Sequence, residues 1–288
     1  MQSNNPVFRR SEAFNGSSSN AYGNQTYPGN GAGYQGYGQT PGQPQYAVPT
    51  TTGGPMTIDS VVQKTGISLA VVIVAAAITW IMTGEISPDA QIPSGLIAAL
   101  TIGSLGAFAL SMVNSFKRVI SPPLVIAFCA LEGVALGALS KFFDAVFVPA
   151  NTGLSENIVV QAVIGTFAAF AGTLAAYKFF NIQVGSKFRT FVIAAMFGMV
   201  GLGLLEMVLG AFGSQLGLFE FGSLGLLFAI AGLVLGVFML ILDFDFVEKG
   251  VAAGIDERES WRAAFALTVS LVWIYTNLLR ILAIFSQD

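Results

Sequence analysis

The chain from about residue 66 onward is a series of apolar runs, each close to 20 residues long and separated by short breaks that contain glycine, proline or charge. Such a run crosses about 30 Å of hydrocarbon as a helix. The alternating periodicity of a β-barrel is absent, so a helical bundle is the way to satisfy the backbone in lipid. The pattern predicts an all-α fold, a polytopic membrane helical bundle of seven transmembrane helices, at approximately 64–83, 92–113, 122–143, 157–180, 189–212, 222–243 and 262–285.

The first 55 residues have a different composition, rich in Gly, Gln, Asn, Ser, Pro and Tyr. Such a segment buries too little apolar surface to offset the entropy of ordering, and this predicts a disordered tail over 1–55 followed by a transmembrane domain over 56–288. A spacer or tether is the favoured interpretation of the tail. Self-association or modification, through its five tyrosines, is the alternative. No apolar h-region follows the start, so we expect no cleavable signal peptide.

Composition excludes several classes of function. Of the 288 residues, 54% are hydrophobic and 10% charged, against about 25% charge in a soluble domain, so the lipid bilayer is the expected surroundings. The chain has no His, which excludes histidine metal sites and histidine-dependent catalytic triads. Its one cysteine, Cys129, lies in an apolar run and is expected to pack as an inert thiol. The net charge is −3 with scattered basic residues, so we expect no nucleic-acid partner. The sequence contains no phosphate-binding loop or metal-binding cluster, so we expect no cofactor and no enzymatic activity.

Basic residues are concentrated in alternate breaks between the spans. They precede span one and lie between spans two and three, four and five, and six and seven, at Arg9, Arg10, Lys64, Lys117, Arg118, Lys178, Lys187, Arg189, Lys249, Arg258 and Arg262. The positive-inside rule then places the N-terminus in the cytoplasm and the C-terminus outside, in a multi-pass protein of the plasma membrane.

Small residues occur at close-packing spacing in two spans. Gly133 with Gly137 in span three and Gly232 with Gly236 in span six both form GxxxG, which lets helix backbones approach closely. Packing within one chain is the favoured interpretation. A homodimer face is the alternative, so the oligomeric state stays open.

Ionisable residues inside the spans are the functional candidates, because a carboxylate at the centre of a membrane helix costs at least about 2.5 kcal/mol and should face protein or water. Glu132 lies near the middle of span three, next to a close-packing glycine, and is a candidate to line a polar cavity. Glu206 lies near the outer end of span five, where contact with a hydrated opening would explain a carboxylate as well as a functional role would. Arg280, in the last turns of span seven, is expected to snorkel to the outer headgroups.

Asp243 and Asp245 end span six. They are two residues and hence about 200° apart on a helix, so one is expected to face the bundle and the other lipid headgroups or cytoplasm. The stretch that follows, 246–261, is predicted to be an acidic inner loop, either a solvated connector or a vestibule that collects cations. In span seven, Ser270 and Asn277 are seven residues apart and share a face. That face is expected to bond a neighbouring helix, with a narrow water path as the alternative.

Three segments together resemble the Bax inhibitor-1/YccA family of membrane proteins. They are Ile241-Leu-Asp-Phe-Asp-Phe-Val247 with the inner loop after it, Leu278-Leu-Arg-Ile-Leu282 near the chain end, and Phe128-Cys-Ala-Leu-Glu-Gly-Val-Ala-Leu-Gly-Ala-Leu-Ser140 in span three. The resemblance covers about residues 60–288 and leaves the N-terminal tail outside it.

The resemblance implies a pH-dependent calcium leak governed by two aspartates that face one another from the sixth and seventh helices. Asp243 matches the first aspartate, and Ser270 occupies the position of the second, ten residues before Arg280. Two carboxylates a few ångströms apart share a proton and so respond to pH near neutrality. The two-aspartate sensor is therefore incomplete here, and Asp245 could replace the second acid only if the helix unwinds.

Two functions follow as competing hypotheses. The first is a low-conductance leak for calcium or another cation, with Asp243 as the gate acid, Glu132 as a candidate second acid and Ser270 as a polar residue of the pathway. The second, implied by the YccA branch of the resemblance, is a non-conducting regulatory partner of a membrane-bound quality-control protease. An aspartyl intramembrane protease is disfavoured, because span seven contains no Asp to act as the second acid.

Overall fold

The computed structural model describes residues 54–84, 86, 92–149, 153 and 156–287, and these contain seven α-helices and no strand. The helices are α1 (Ile58–Met82), α2 (Ser94–Phe116), α3 (Pro122–Phe147), α4 (Ile158–Phe179), α5 (Ser186–Ala211), α6 (Ser223–Ala252) and α7 (Glu259–Phe285). All seven are long and apolar enough to cross a membrane. The predicted seven-helix bundle is therefore confirmed, whereas the predicted tail lies, except for Gly54 and Pro55, outside the described residues.

Local sequence explains where several helices begin. Thr57 caps α1 through a capping box, in which its hydroxyl accepts from the Ser60 N–H and the Ser60 side chain binds back to the Thr57 backbone. Pro122 is the first residue of α3, where a backbone N–H would have no acceptor within the helix, so proline loses nothing there. The side chain of Asn157 accepts from two backbone N–H groups in the first turn of α4. The Thr57 and Asn157 caps satisfy backbone N–H groups that have no partner within the helix.

Helices α3 and α7 form the centre of the bundle and are the most buried of the seven. Helix α1 packs against both, α2 packs against α3, and α4 and α6 pack against α7. Helix α5 packs mainly against α6. The end of the bundle where α1 and α7 begin is called the proximal end below, and the end where they finish is called the distal end.

Both predicted GxxxG pairs lie at helix contacts within the chain. A Cβ atom on Gly133 or Gly137 would collide with the backbone of α1 at Val72 or Ala76. A Cβ atom on Gly232 would meet Asn277 of α7. At Gly133 and Gly137 glycine is required because the backbones of α3 and α1 approach so closely. At Gly232 and Gly236 the neighbouring atoms belong to side chains, chiefly of α7. The interpretation as packing within one chain is confirmed for both pairs.

The prediction for the end of α6 was wrong. The helix does not stop at Asp243 but continues to Ala252, and α7 begins at Glu259. The predicted acidic inner loop over 246–261 is therefore reduced to the turn 253–258. Polar residues begin at this point of the sequence, but Asp245, Glu248 and Lys249 bind partners on α4, on α5 and on α6 itself, so the helix continues.

The short segment before α1 is tied to this turn. The Met56 N–H donates to the Ile255 carbonyl at 2.7 Å, and the Met56 side chain is 1% exposed. Ser60 and Ser260 hydroxyls are 2.6 Å apart, which joins the first turns of α1 and α7. At the proximal end, the beginning of the domain is thus tied to the turn between α6 and α7 and to the first turn of α7.

Candidate functional site

The candidate site lies where α6 meets α7 in the proximal half of the bundle. Ser270 Oγ on α7 donates a 2.6 Å hydrogen bond to Asp243 Oδ2 on α6. Asp243 is 5% exposed and Ser270 is fully buried. The two residues singled out from the sequence are therefore in direct contact inside the bundle, with a hydroxyl where a second carboxylate was implied by the resemblance.

Asp245 faces a different direction from Asp243, as its helical position predicted, but the expectation that one of the two would face headgroups or cytoplasm was wrong. Asp245 is 3% exposed. It accepts a 2.8 Å hydrogen bond from the Arg189 guanidinium at the start of α5, and Lys249 lies 2.7 Å from its other oxygen. Helix α5 covers this side of α6, and the two cations compensate the buried charge.

Other polar pairs surround these aspartates at the proximal end. The Tyr177 hydroxyl on α4 donates to Glu248 on α6, and Lys64 on α1 forms a 2.9 Å ion pair with Glu257 in the turn before α7. Arg262 is fully buried in α7, where it binds Glu259 and donates to the Arg118 carbonyl after α2. The end of α6 and the start of α7 are therefore held by α1, α4, α5 and the segment after α2.

Glu132 is not joined to this site. It is partly buried in α3, and its carboxylate forms no hydrogen bond or ion pair with another residue in the part of the chain that the structure describes. The predicted role as second acid therefore gains no geometric support from a contact to Asp243. Cys129, one turn earlier, is a fully buried free thiol, in agreement with the predicted packing role.

Glu206 and Arg280 have structural roles at the distal end. The Glu206 carboxylate, 6% exposed, accepts from the backbone N–H groups of Leu216 at 2.9 Å and Gly217 at 3.0 Å. Arg280 donates to the Leu218 carbonyl at 2.7 Å and lies over the Phe219 ring, so its guanidinium is held by the chain itself, and its contact with outer headgroups stays a prediction. Both side chains fix the segment between α5 and α6.

Asn277 lies on the same face of α7 as Ser270, as predicted, and both are buried against α6. Its amide donates to the Trp273 carbonyl one turn earlier, while its oxygen lies against Gly232. The Trp273 ring N–H donates to the Gly232 carbonyl at 2.8 Å. The polar stripe of α7 therefore bonds α6 and its own helix, as its favoured interpretation predicted.

Comparison with known proteins gives the family. The family model described as Bax inhibitor 1 like matches residues 5–287, nearly the whole chain. The chain belongs to this family. No curated protein matches the sequence significantly. The family match extends through most of the N-terminal segment, so the expectation that the tail lies outside the resemblance was wrong.

Sequence reasoning missed the partners of the buried charges in this Bax inhibitor family member. Arg189 was used only as an indicator of orientation, and the burial of Arg262 was not anticipated. The spacing of four residues between Asp245 and Lys249 was an available signal, because such pairs are neighbours on a helix. Arg189 gave no comparable signal, since it lies 56 residues away from Asp245 in sequence.

Proposed function

We propose that this Bax inhibitor family membrane protein is a low-conductance leak for calcium or another cation, with Asp243 as the acid that gates it. The observation that supports this most is the buried Asp243–Ser270 contact between α6 and α7. A carboxylate is retained at low exposure within a membrane helix, where its desolvation is costly. Oxygen ligands of this kind suit hard cations.

In this proposal the Ser270 hydroxyl holds the Asp243 carboxylate against α7 and so occupies one of its oxygens. A cation that reaches the site would have to compete with that hydrogen bond. Separation of α6 from α7 would free the carboxylate, whereas the salt-bridged Asp245 would stay bound to Arg189 and Lys249. Asp243 is therefore the carboxylate that conduction depends on.

The test is calcium entry into dye-loaded liposomes that contain the purified full chain. Asp243→Asn removes the charge with little change of shape and is expected to change the flux by about tenfold or more, equivalent to about 1.4 kcal/mol. Asp59→Asn, on the exposed first turn of α1, is the matched control and should conduct like the unmodified chain. Equal flux through the Asp243→Asn variant would remove the assigned gate.

A non-conducting regulatory partner of a membrane-bound quality-control protease is the second candidate. It is favoured by the serine opposite Asp243, which leaves the implied acid pair incomplete, and by the complete ion pairing of Asp245. This candidate predicts that a protease co-purifies with the full chain, that removal of residues 1–55 weakens the association, and that liposomes show no flux.

We also propose that the proximal end faces the cytoplasm at the plasma membrane. The basic residues Lys117, Lys178 and Lys187 lie in or beside the segments that join helices at this end. Cys129 is the one cysteine of the chain and is buried. A single cysteine introduced in place of Gly185 or Ser286 therefore reports which side of the membrane that position faces. A membrane-impermeant maleimide added to intact cells should label Ser286→Cys and spare Gly185→Cys, and the reverse pattern would invert the orientation.

A further inference from the structure

A cavity of about 450 Å³ opens between α1 and α4 in the distal half of the bundle, apart from the Asp243 site. Its floor is made by α3 and α7, at Leu136, Gly137 and Tyr275. Ile73 on α1 and Val163 on α4 form its two walls.

The cavity is continuous with the surface that faces lipid. Ile73 is 53% exposed and Val163 is 41% exposed, although both line the cavity. Helices α1 and α4 each pack against α7 but not closely against each other, so the opening is lateral. At this depth the molecules outside the opening are acyl chains.

The lining is suited to a hydrocarbon chain and not to water. Its three hydroxyl groups are already bonded: the Ser140 and Tyr275 hydroxyls are 2.6 Å apart, and the Thr166 hydroxyl donates to the Ala162 carbonyl at 2.7 Å. A buried water needs two to four polar partners, which this lining does not offer. An apolar occupant would keep every existing hydrogen bond.

A buried cation lies at the distal margin of the cavity. Lys141 directly follows the lining residue Ser140 and is 7% exposed. Its ammonium group donates to the carbonyl of Trp80, another lining residue, at 2.6 Å and lies 5.9 Å from the centre of the Trp80 ring. No described carboxylate forms an ion pair with Lys141. An ammonium group has three donors, so two remain for an anion.

We propose that this cavity binds one acyl chain of an anionic phospholipid from the distal leaflet, with its headgroup phosphate held near Lys141. The apolar cavity accommodates the chain, and Lys141 selects the headgroup through charge complementarity. The bound lipid would wedge between α1 and α4 and contact Tyr275 on α7, the same helix that carries Ser270.

The test uses full-length protein in phosphatidylcholine vesicles that contain a trace of a phospholipid with a photoactivatable diazirine in its acyl chain. The probe carries either a phosphatidylglycerol or a phosphatidylcholine headgroup, and mass spectrometry locates the label. We expect the phosphatidylglycerol probe to label the floor and walls of the cavity, around Leu136 and Phe167, more strongly than the phosphatidylcholine probe does.

Two cavity-filling variants and a neighbour provide the controls. Val163→Trp and Ile73→Trp fill the cavity from opposite walls and should reduce cavity labelling about tenfold. This is the loss of affinity expected if about two CH₂ groups of the lipid chain are no longer buried. Ile164→Trp places the same side chain one residue further along α4, on a 62% exposed position that does not line the cavity, and should leave labelling unchanged.

Lys141→Met should abolish the preference for the phosphatidylglycerol probe, whereas Lys178→Met, at the other end of α4, should retain it. Three outcomes would overturn the proposal: label spread evenly over the lipid-facing helices, equal labelling by the two probes in the unmodified chain, or displacement of the probe by equimolar oleate. The last outcome would identify a free fatty acid as the occupant.

Discussion

Arg189 at the start of α5 binds Asp245 on α6 at 2.8 Å, while Asp243, two residues earlier on the same helix, accepts a hydrogen bond from Ser270 on α7. Neighbouring carboxylates on one helix therefore have different partners. Asp245 is neutralised by cations and ties α5 to α6, whereas Asp243 faces a neutral hydroxyl. Because the two side chains point about 200° apart around the helix, each can contact a different neighbouring helix.

The first prediction concerns the cations around Asp245. Because either cation alone still compensates the carboxylate, Arg189→Met or Lys249→Met should each lower the free energy of unfolding by about 1 kcal/mol. The double variant leaves a buried, unpaired charge and should cost about 3–5 kcal/mol. Equilibrium unfolding in mixed micelles, followed by tryptophan fluorescence, measures both values.

Adding Asp245→Asn to that double variant should recover most of the lost stability, because it removes the unpaired charge. Lys178→Met, on an exposed residue, is the control for loss of one positive charge. Additive single effects with no excess cost in the double variant would contradict the explanation.

The second prediction concerns the close approach of α1 and α3. Gly137→Ala introduces a Cβ atom that collides with the Ala76 backbone, so α1 must move away and the free energy of unfolding should fall by about 1–3 kcal/mol. Gly198→Ala on α5 is the matched control, since nothing lies within 4 Å of its added Cβ. Thermal unfolding in detergent should give a lower Tm for Gly137→Ala alone. Equal Tm values for the two variants would argue against the contact.

The third prediction concerns the distal segment between α5 and α6. Glu206→Gln replaces one acceptor oxygen with a donor, so one of the two N–H groups at Leu216 and Gly217 loses its partner, at a cost of about 1–3 kcal/mol. Hydrogen exchange at these two amides should accelerate. Glu220→Gln, on an exposed residue of the same segment, should leave the exchange unchanged, and protection that survives Glu206→Gln would contradict this role.

The fourth prediction concerns the acid pair that Ser270 interrupts. In Ser270→Asp the new carboxylate would face Asp243 across a contact that now measures 2.6 Å. Two carboxylates so close hold one proton between them, because both cannot ionise without repulsion. Calcium flux measured at about pH 6 and about pH 8 should therefore depend more steeply on pH than flux through the unmodified chain.

Ser270→Asn is the control for that variant, because it adds similar bulk without a second acid. It should retain the pH dependence of the unmodified chain. A Ser270→Asp variant that folds and conducts with unaltered pH dependence would show that this contact is not the pH-sensing position.

The sequence by itself determined the number of helices, their approximate bounds and the small residues at their contacts. Apolar runs of membrane length leave the backbone no alternative to helix, so this information is local. The contact of Asp243 with Ser270 was anticipated only through the family resemblance and the shared face of α7. The end of α6 was misjudged because polar residues resemble a loop when their partners are unknown.

Only the tertiary structure decided which charges are buried and what compensates them. Arg189 reaches Asp245 because α5 packs against α6, and Arg280 binds Leu218 because α7 ends beside the segment after α5. The cavity between α1 and α4 likewise depends on two helices that share a neighbour without packing closely together. These features arise from the arrangement of helices in space, which a pattern of hydrophobic runs does not specify, because many bundle arrangements bury the same runs equally well.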